Sequence, residues 1–166
     1  MLTIQKMYKQ LLLFLCFILI LSCNQNKIYD QYQPVKNLEW SPKTNFEFIV
    51  NNTDTISKRN VFINIRNNKS YEFSSLFLIA KIEFPSGYKL VDTLEYEMTN
   101  AQGKFLGQGF SDVKENKLFL REKVVLSEKG DYKFLIQQAT RSINDIEGKN
   151  PLKGITDVGL SIEKVK

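Results

Sequence analysis

No histidine occurs anywhere in the 166 residues. That excludes imidazole as general base, as triad member and as zinc ligand. Cysteine is almost as scarce: Cys16 and Cys23 are the only two, and none follows. No phosphate-binding loop, dinucleotide fingerprint, metalloprotease helix motif or internal repeat is present. There is one tryptophan, Trp40; a sugar-binding face usually displays several exposed aromatics, so the signal for one is poor. The 23 basic and 18 acidic side chains give a net charge of +5, spread along the chain. This is no nucleic-acid footprint.

What is there begins with the two cysteines. Lys6 and Lys9 are the only charges in the first 22 residues, and Leu11 to Leu21 are all apolar. Eleven helical residues span roughly 16 Å, about half a bilayer core, which is too short to cross. A basic start and a short apolar core have the form of a secretory signal helix. Ile20-Leu21-Ser22-Cys23 has the form of a lipobox, with small Ser22 at the cut and polar Asn24-Gln25-Asn26-Lys27 after it. Cys16 follows bulky Leu15 in mid-core. Cys23 is therefore read as the acylated first residue of the mature protein, and Cys16 as an apolar residue of the discarded signal. The alternative is an ordinary signal that happens to hold two cysteines. Removal of residues 1–22, with Lys6 and Lys9, takes 166 residues to 144 and leaves 21 basic side chains against 18 acidic, or +3. That is one domain, long enough to bury a core. With Cys23 acylated, the mature chain has no thiol left for a disulfide or for nucleophilic chemistry.

Asn24–Pro34 is polar and aperiodic and reads as a tether. The expected division is 1–22 signal, 23–36 lipidated N-terminus and tether, and 37–166 the folded domain, with folding starting near Trp40. From there, alternation of period two dominates. Phe46, Phe48 and Val50 share one face, as do Val61, Ile63 and Ile65. Leu76-Phe77-Leu78-Ile79 is apolar on both faces, which indicates a central strand. Pro85-Ser86-Gly87 reads as a turn. Leu94, Tyr96 and Met98 share a face, and the segment from Asn116 changes phase around Arg121–Lys123, as a bulge or as two strands. Further strands follow in "GDYKFLIQQA" and "DVGLSIEKV". With no amphipathic helix among these segments, the expected fold is all-β: a single antiparallel β-sandwich, immunoglobulin-like or jelly-roll-like. Tyr132, with Phe134 two residues on, has the form of a tyrosine corner; equally, it is a Tyr entering a strand after a Gly turn. Two long connections, 99–116 and 140–156, mix glycines with apolar residues and read as shaped contact loops.

Carboxylates at Asp92, Glu95, Glu97, Asp112 and Glu115 are the raw material for a two-carboxylate glycosidase, but nothing in the pattern fixes their separation. "NDIEGKN", Asn144 to Asn150, lacks the terminal bidentate Glu of a calcium loop and reads as a turn. Asn51-Asn52-Thr53 and Asn68-Lys69-Ser70 fit a eukaryotic sequon, but in a bacterial lipoprotein they read as turn residues. Asp54-Thr55-Ile56 and Asp92-Thr93-Leu94 resemble an Asp-Thr-apolar O-glycosylation acceptor of exported bacterial proteins. Thr55, in an expected exposed turn, is the better of the two, with Thr93 in a strand. No metal, cofactor or catalytic residue is expected.

"NVFINIRNNKSYEFSSLFLI", "DTLEYEM", "GKFLGQGFSDVKENKLFLRE", "LKGITDVGLSIEK" and "YDQYQ", together with Cys23, resemble the GldH family of gliding-motility lipoproteins of the Bacteroidetes. The resemblance implies an outer-membrane lipoprotein needed for gliding and associated with the gliding and type IX secretion apparatus. It carries over one residue, the lipidated Cys23. The absence of acidic residues in Asn24–Tyr29 points the anchor to the periplasmic face. The partners expected are membrane lipid and other envelope proteins, not nucleic acid. The alternative function is a glycan-binding envelope lipoprotein.

Overall fold

The computed structural model describes residues 26–109, 111–142, 145, 148 and 150–165. These form ten strands: β1 Lys27–Pro34, β2 Glu39–Trp40, β3 Asn45–Asn52, β4 Lys58–Asn67, β5 Ser75–Glu83, β6 Lys89–Glu97, β7 Lys114–Val125, β8 Gly130–Gln138, β9 Leu152–Lys153 and β10 Ile155–Lys164. One four-stranded sheet has the order β1-β10-β4-β7 and the other β3-β8-β5-β6, with β2 and β9 paired separately. All pairs are antiparallel.

Among the eight long strands, β1 pairs with β10, β3 with β8, β4 with β7 and β5 with β6, and these pairs alternate between the two sheets. The chain is thus one long antiparallel hairpin rolled around a sandwich, which is a jelly roll. Alternation places Phe46, Phe48 and Val50 of β3 and Tyr132, Phe134 and Ile136 of β8 in the same buried cluster as Val61, Ile63 and Ile65 of β4 and Val158, Leu160 and Ile162 of β10. β5, apolar on both faces, lies inside its sheet between β8 and β6. The phase change in β7 is a bulge within one strand: register slips against Arg59–Phe62, and Lys123 takes a φ of 50°. Tyr132 is fully buried, and its hydroxyl accepts the backbone N–H of Glu128 at 2.9 Å, the upstream bond expected of a tyrosine corner.

One expectation is corrected. Residues 27–34 are not tether but strand β1, registered along β10 from Lys27↔Glu163 to Pro34↔Asp157. Folding therefore starts ten residues before the expected boundary at 37. β1 is an edge strand with no buried residue: Tyr29 packs against the core, while Gln31, exposed, and Gln33, half-buried, follow it on the same face, so it shows no apolar alternation. Its partner lies more than 120 residues away in sequence. Gln33 reaches across to the other sheet, donating to the Glu47 carbonyl at 2.6 Å.

Candidate interaction surface

The roll sorts the connections by length. The short ones, 53–57, 84–88 and 126–129, lie at the end where the chain enters at Asn26. The long ones, 35–44, 68–74, 98–113 and 139–154, gather at the opposite end. Both long loops singled out by sequence thus stand side by side with two others.

Gly154 stitches three of these loops together. Its N–H donates to the Leu38 carbonyl at 3.1 Å, and its carbonyl accepts the Asn68 N–H at 2.8 Å. Its φ is +81°, and a Cβ there would lie 2.2 Å from the Tyr71 nitrogen. Tyr71 is buried and donates its hydroxyl to the Ser75 carbonyl at 2.8 Å; its ring lies 6.5 Å from that of Phe105, which brings in the fourth loop. β2 and β9 add a short ladder, Glu39↔Lys153 and Trp40↔Leu152. Trp40 is 1% exposed, meets Phe46 edge-on at 5.2 Å and donates to the Thr44 carbonyl. It is a core residue, not a sugar platform.

The surface so built carries a groove of about 480 Å³ lined by Glu39, Ser70, Glu72, Phe73, Asn150 and Lys153 among others. A second, of about 610 Å³, lies between the free edges of β6 and β7, where Leu106, Gly107 and Gln108 meet Glu97, Lys117 and Leu118. Gln108 exchanges both backbone bonds with Glu115, at 2.8 and 2.9 Å, which pins the loop to β7. Phe105 is half-buried against the core, whereas its neighbour Leu106 is 52% exposed on the rim. Phe110 lies outside the described residues.

Of the five carboxylates, Glu97 and Glu115 line the second groove together, and Asp92, Glu95 and Asp112 lie outside it. Asp92 pairs with Arg121 of β7 across the sheet edge. There Tyr96 also donates to the Phe119 carbonyl at 2.6 Å, and burial pushes its hydroxyl up to about 12. Glu95 and Glu97 alternate with Asp92 and are exposed on the opposite face of β6, and Asp112 is exposed on the loop. Glu115 accepts from the Arg66 guanidinium and the Tyr32 hydroxyl, each at 2.9 Å. Arg66 also lies 4.1 Å over the Tyr32 ring, and that ring lies across Gly159. Sequence reasoning missed this cluster because Tyr32 sat in the supposed tether. Partial burial works against the charge on Glu115, but its bonds from Arg66 and Tyr32 win and hold the carboxyl below its ordinary value. Burial, then Glu115, push Tyr32 far above its own.

A depressed carboxyl stabilises the fold above its unfolded value of about 4.3 and loses that contribution as pH falls through the folded value. The wild type should exceed Glu115→Gln in urea midpoint at about pH 7, with the gap shrinking as the pH falls below the unfolded value of about 4.3. A gap that persists unchanged in acid would show that the charge on Glu115 is not what matters.

Of the remaining predicted residues, Cys23 lies outside the described residues. Thr93 is exposed on edge strand β6. Thr55 is half-buried rather than exposed, in a bend closed by the Asp54 carboxylate, which accepts the N–H groups of Ile56 and Ser57 at 3.1 and 3.0 Å. In "NDIEGKN", Asn144, Ile146, Glu147 and Lys149 lie outside the described residues, while Asp145 accepts the Asn150 N–H at 2.9 Å in a turn.

Known proteins resemble this chain in sequence. The GldH lipoprotein family model matches residues 27–162. A gliding motility lipoprotein GldH homolog of Christiangramia forsetii is 48% identical over 147 residues, 89% of this chain and 90% of that one. The gliding motility lipoprotein GldH of Flavobacterium johnsoniae is 44% identical over 153 residues, 92% and 94% respectively. A solved structure of infectious bursal disease virus, Gx strain, aligns at 11% identity and a TM-score of 0.34, over 84% of this chain and 33% of that one. The jelly roll rests on the strand order. With a match that runs from the first residue of β1 into β10, and relatives aligned over nine-tenths of their lengths, the chain belongs to the GldH lipoprotein family.

Proposed function

We propose that this protein is an outer-membrane lipoprotein of the gliding apparatus, anchored by acylated Cys23 on the periplasmic face, and that it acts by contact rather than catalysis. One observation carries the reading. Lys27 enters the fold at the short-hairpin end, so an anchor four residues upstream leaves the four stitched loops at the far end, free for a partner. The relatives' names supply gliding. The chemistry supplies the rest: no histidine, no free thiol in the acylated mature chain, and Asp92 and Glu115 each held in an ion pair with an arginine. The partner is another protein of the gliding and secretion envelope machinery. Confinement to a plane raises effective concentration, so a modest interface suffices.

Leu106, apolar and exposed on the rim, tests this. Leu106→Arg should leave folding and membrane attachment intact while abolishing gliding and partner capture from crosslinked envelopes. Asp112→Asn, on an exposed loop carboxylate, should leave gliding intact. If Asp112→Asn alone stops gliding with capture unchanged, catalysis replaces contact as the explanation.

Both Asp-Thr-apolar stretches remain O-glycan acceptors in this reading, and exposure favours Thr93 over Thr55. The intact mass of native protein should fall on Thr93→Ala by a glycan beyond the side-chain difference. A fall equal to the side-chain difference alone would remove the modification at Thr93.

A further inference from the structure

We propose that the short-hairpin end is a membrane seat. In it Ile56 and Tyr88 enter the headgroup–acyl boundary of the bilayer that holds Cys23, while Lys58, Lys129 and Lys164 face its anionic headgroups. The inference rests on acylation of Cys23.

The chain length fixes which end meets the bilayer. The Asn26 carbonyl accepts the Lys164 N–H at 2.9 Å, tying the start of the fold to the end of β10. Three residues from Cys23 to Asn26 reach at most about 11 Å. The three short hairpins are the connections at that same end of the sandwich. They form one platform: Asn52 donates to the Leu126 and Glu128 carbonyls at 2.8 and 2.9 Å, and the Ser86 N–H donates to the Glu128 carboxylate at 2.8 Å.

Hairpin tips are ordinarily polar. Here one tip carries Ile56, 84% exposed, and another carries Tyr88, 61% exposed. A lone exposed isoleucine means little in itself; its place at the acylated end gives it meaning. Its display is rigid, because Asp54 holds the Ile56 N–H and pairs with Arg59. The acids on the platform are engaged: Asp54 with Arg59, Glu128 with Ser86, Asp131 with Asn51. Lys58, Lys129 and Lys164 have no ion pair among the described residues. Apolar and tyrosyl tips ringed by free lysines suit an anionic phospholipid surface, and a tethered domain needs only weak insertion to stay seated. Seating aims the four-loop end away from the bilayer, about 30 Å off by the length of a ten-residue strand.

The test uses the acylated protein in vesicles of phosphatidylethanolamine with a minor share of phosphatidylglycerol. Ile56→Cys or Leu106→Cys carries a nitroxide, since no other free thiol remains once Cys23 is acylated. At position 56 the label should be open to oxygen and shielded from a water-soluble nickel chelate; at position 106 it should be open to both. In a Tyr88→Cys protein, adding Ile56→Glu should expose the label at 88 to nickel. Equal nickel access at 56 and 106, in protein that floats with the vesicles and whose mass shows Cys23 acylated, would overturn the seat and leave the anchor standing. An unacylated Cys23 would remove both. A label at 88 that ignores Ile56→Glu would remove Ile56 from the seat.

Discussion

Cells whose sole copy carries Cys23→Ser should release the protein from the membrane fraction and stop gliding, whereas Cys16→Ser should change neither. The expected effect is large because the proposed anchor is the acyl chains: each buried methylene contributes about 0.8 kcal/mol, and two or more chains make attachment stable. Insertion of Ile56 and Tyr88 could not replace them. Loss of the chains therefore lowers attachment and effective concentration together. Labelling by a clickable palmitate analogue reads the chemistry, and sedimentation with membranes reads the consequence. Protease added to intact wild-type cells should leave the protein whole if it faces the periplasm. Cys23→Ser protein that still labels and sediments would dismiss the anchor, and digestion on intact cells would dismiss the facing.

Gly154→Ala should cost roughly 2–5 kcal/mol, from a left-handed backbone with a side chain and from overpacking. The new Cβ would lie 2.2 Å from the Tyr71 nitrogen and 2.5 Å from the Ser70 carbonyl carbon. Both are backbone atoms, so no side chain can swing aside. Relief requires moving the 68–74 loop, which loosens the Asn68–Gly154 bond and the Tyr71–Phe105 contact together. Against a domain stability of about 5–15 kcal/mol, the variant should unfold at a much lower urea midpoint. It should also lose partner capture at urea concentrations well below that midpoint. An unchanged midpoint would mean that the loop end is not stitched through Gly154.

Local pattern carried much of this fold. Phe46, Phe48 and Val50 announce β3 because an edge strand with one buried face must alternate. Leu76–Ile79 announces an interior strand: β5 lies between β8 and β6, with its inner positions buried and its outer ones half-buried. The bulge at Lys123 is visible as a phase slip. β1 was illegible because its pairing with β10 spans nearly the whole domain and only Tyr29 of its residues packs against the core. Strand partners were illegible for the same reason: alternation assigns faces, and only tertiary packing assigns neighbours, so immunoglobulin-like and jelly-roll readings stayed open. The candidate surface divides likewise. Glycines and apolar residues marked the loops at 99–116 and 140–156. That they share an end with 35–44 and 68–74, held by Gly154, follows from the roll. Tyr32–Arg66–Glu115 joins three strands and has no local signature.

Contact at the loop end is tested most directly by a photo-crosslinking residue placed at position 106 in gliding cells, with position 56 as the comparison. Position 106 should yield a discrete adduct with one envelope protein, lost when that protein is deleted, while position 56 should yield adducts with lipid. Protein adducts at 56 with none at 106 would contradict the assignment, placing the partner at the membrane end and leaving the loops without a role.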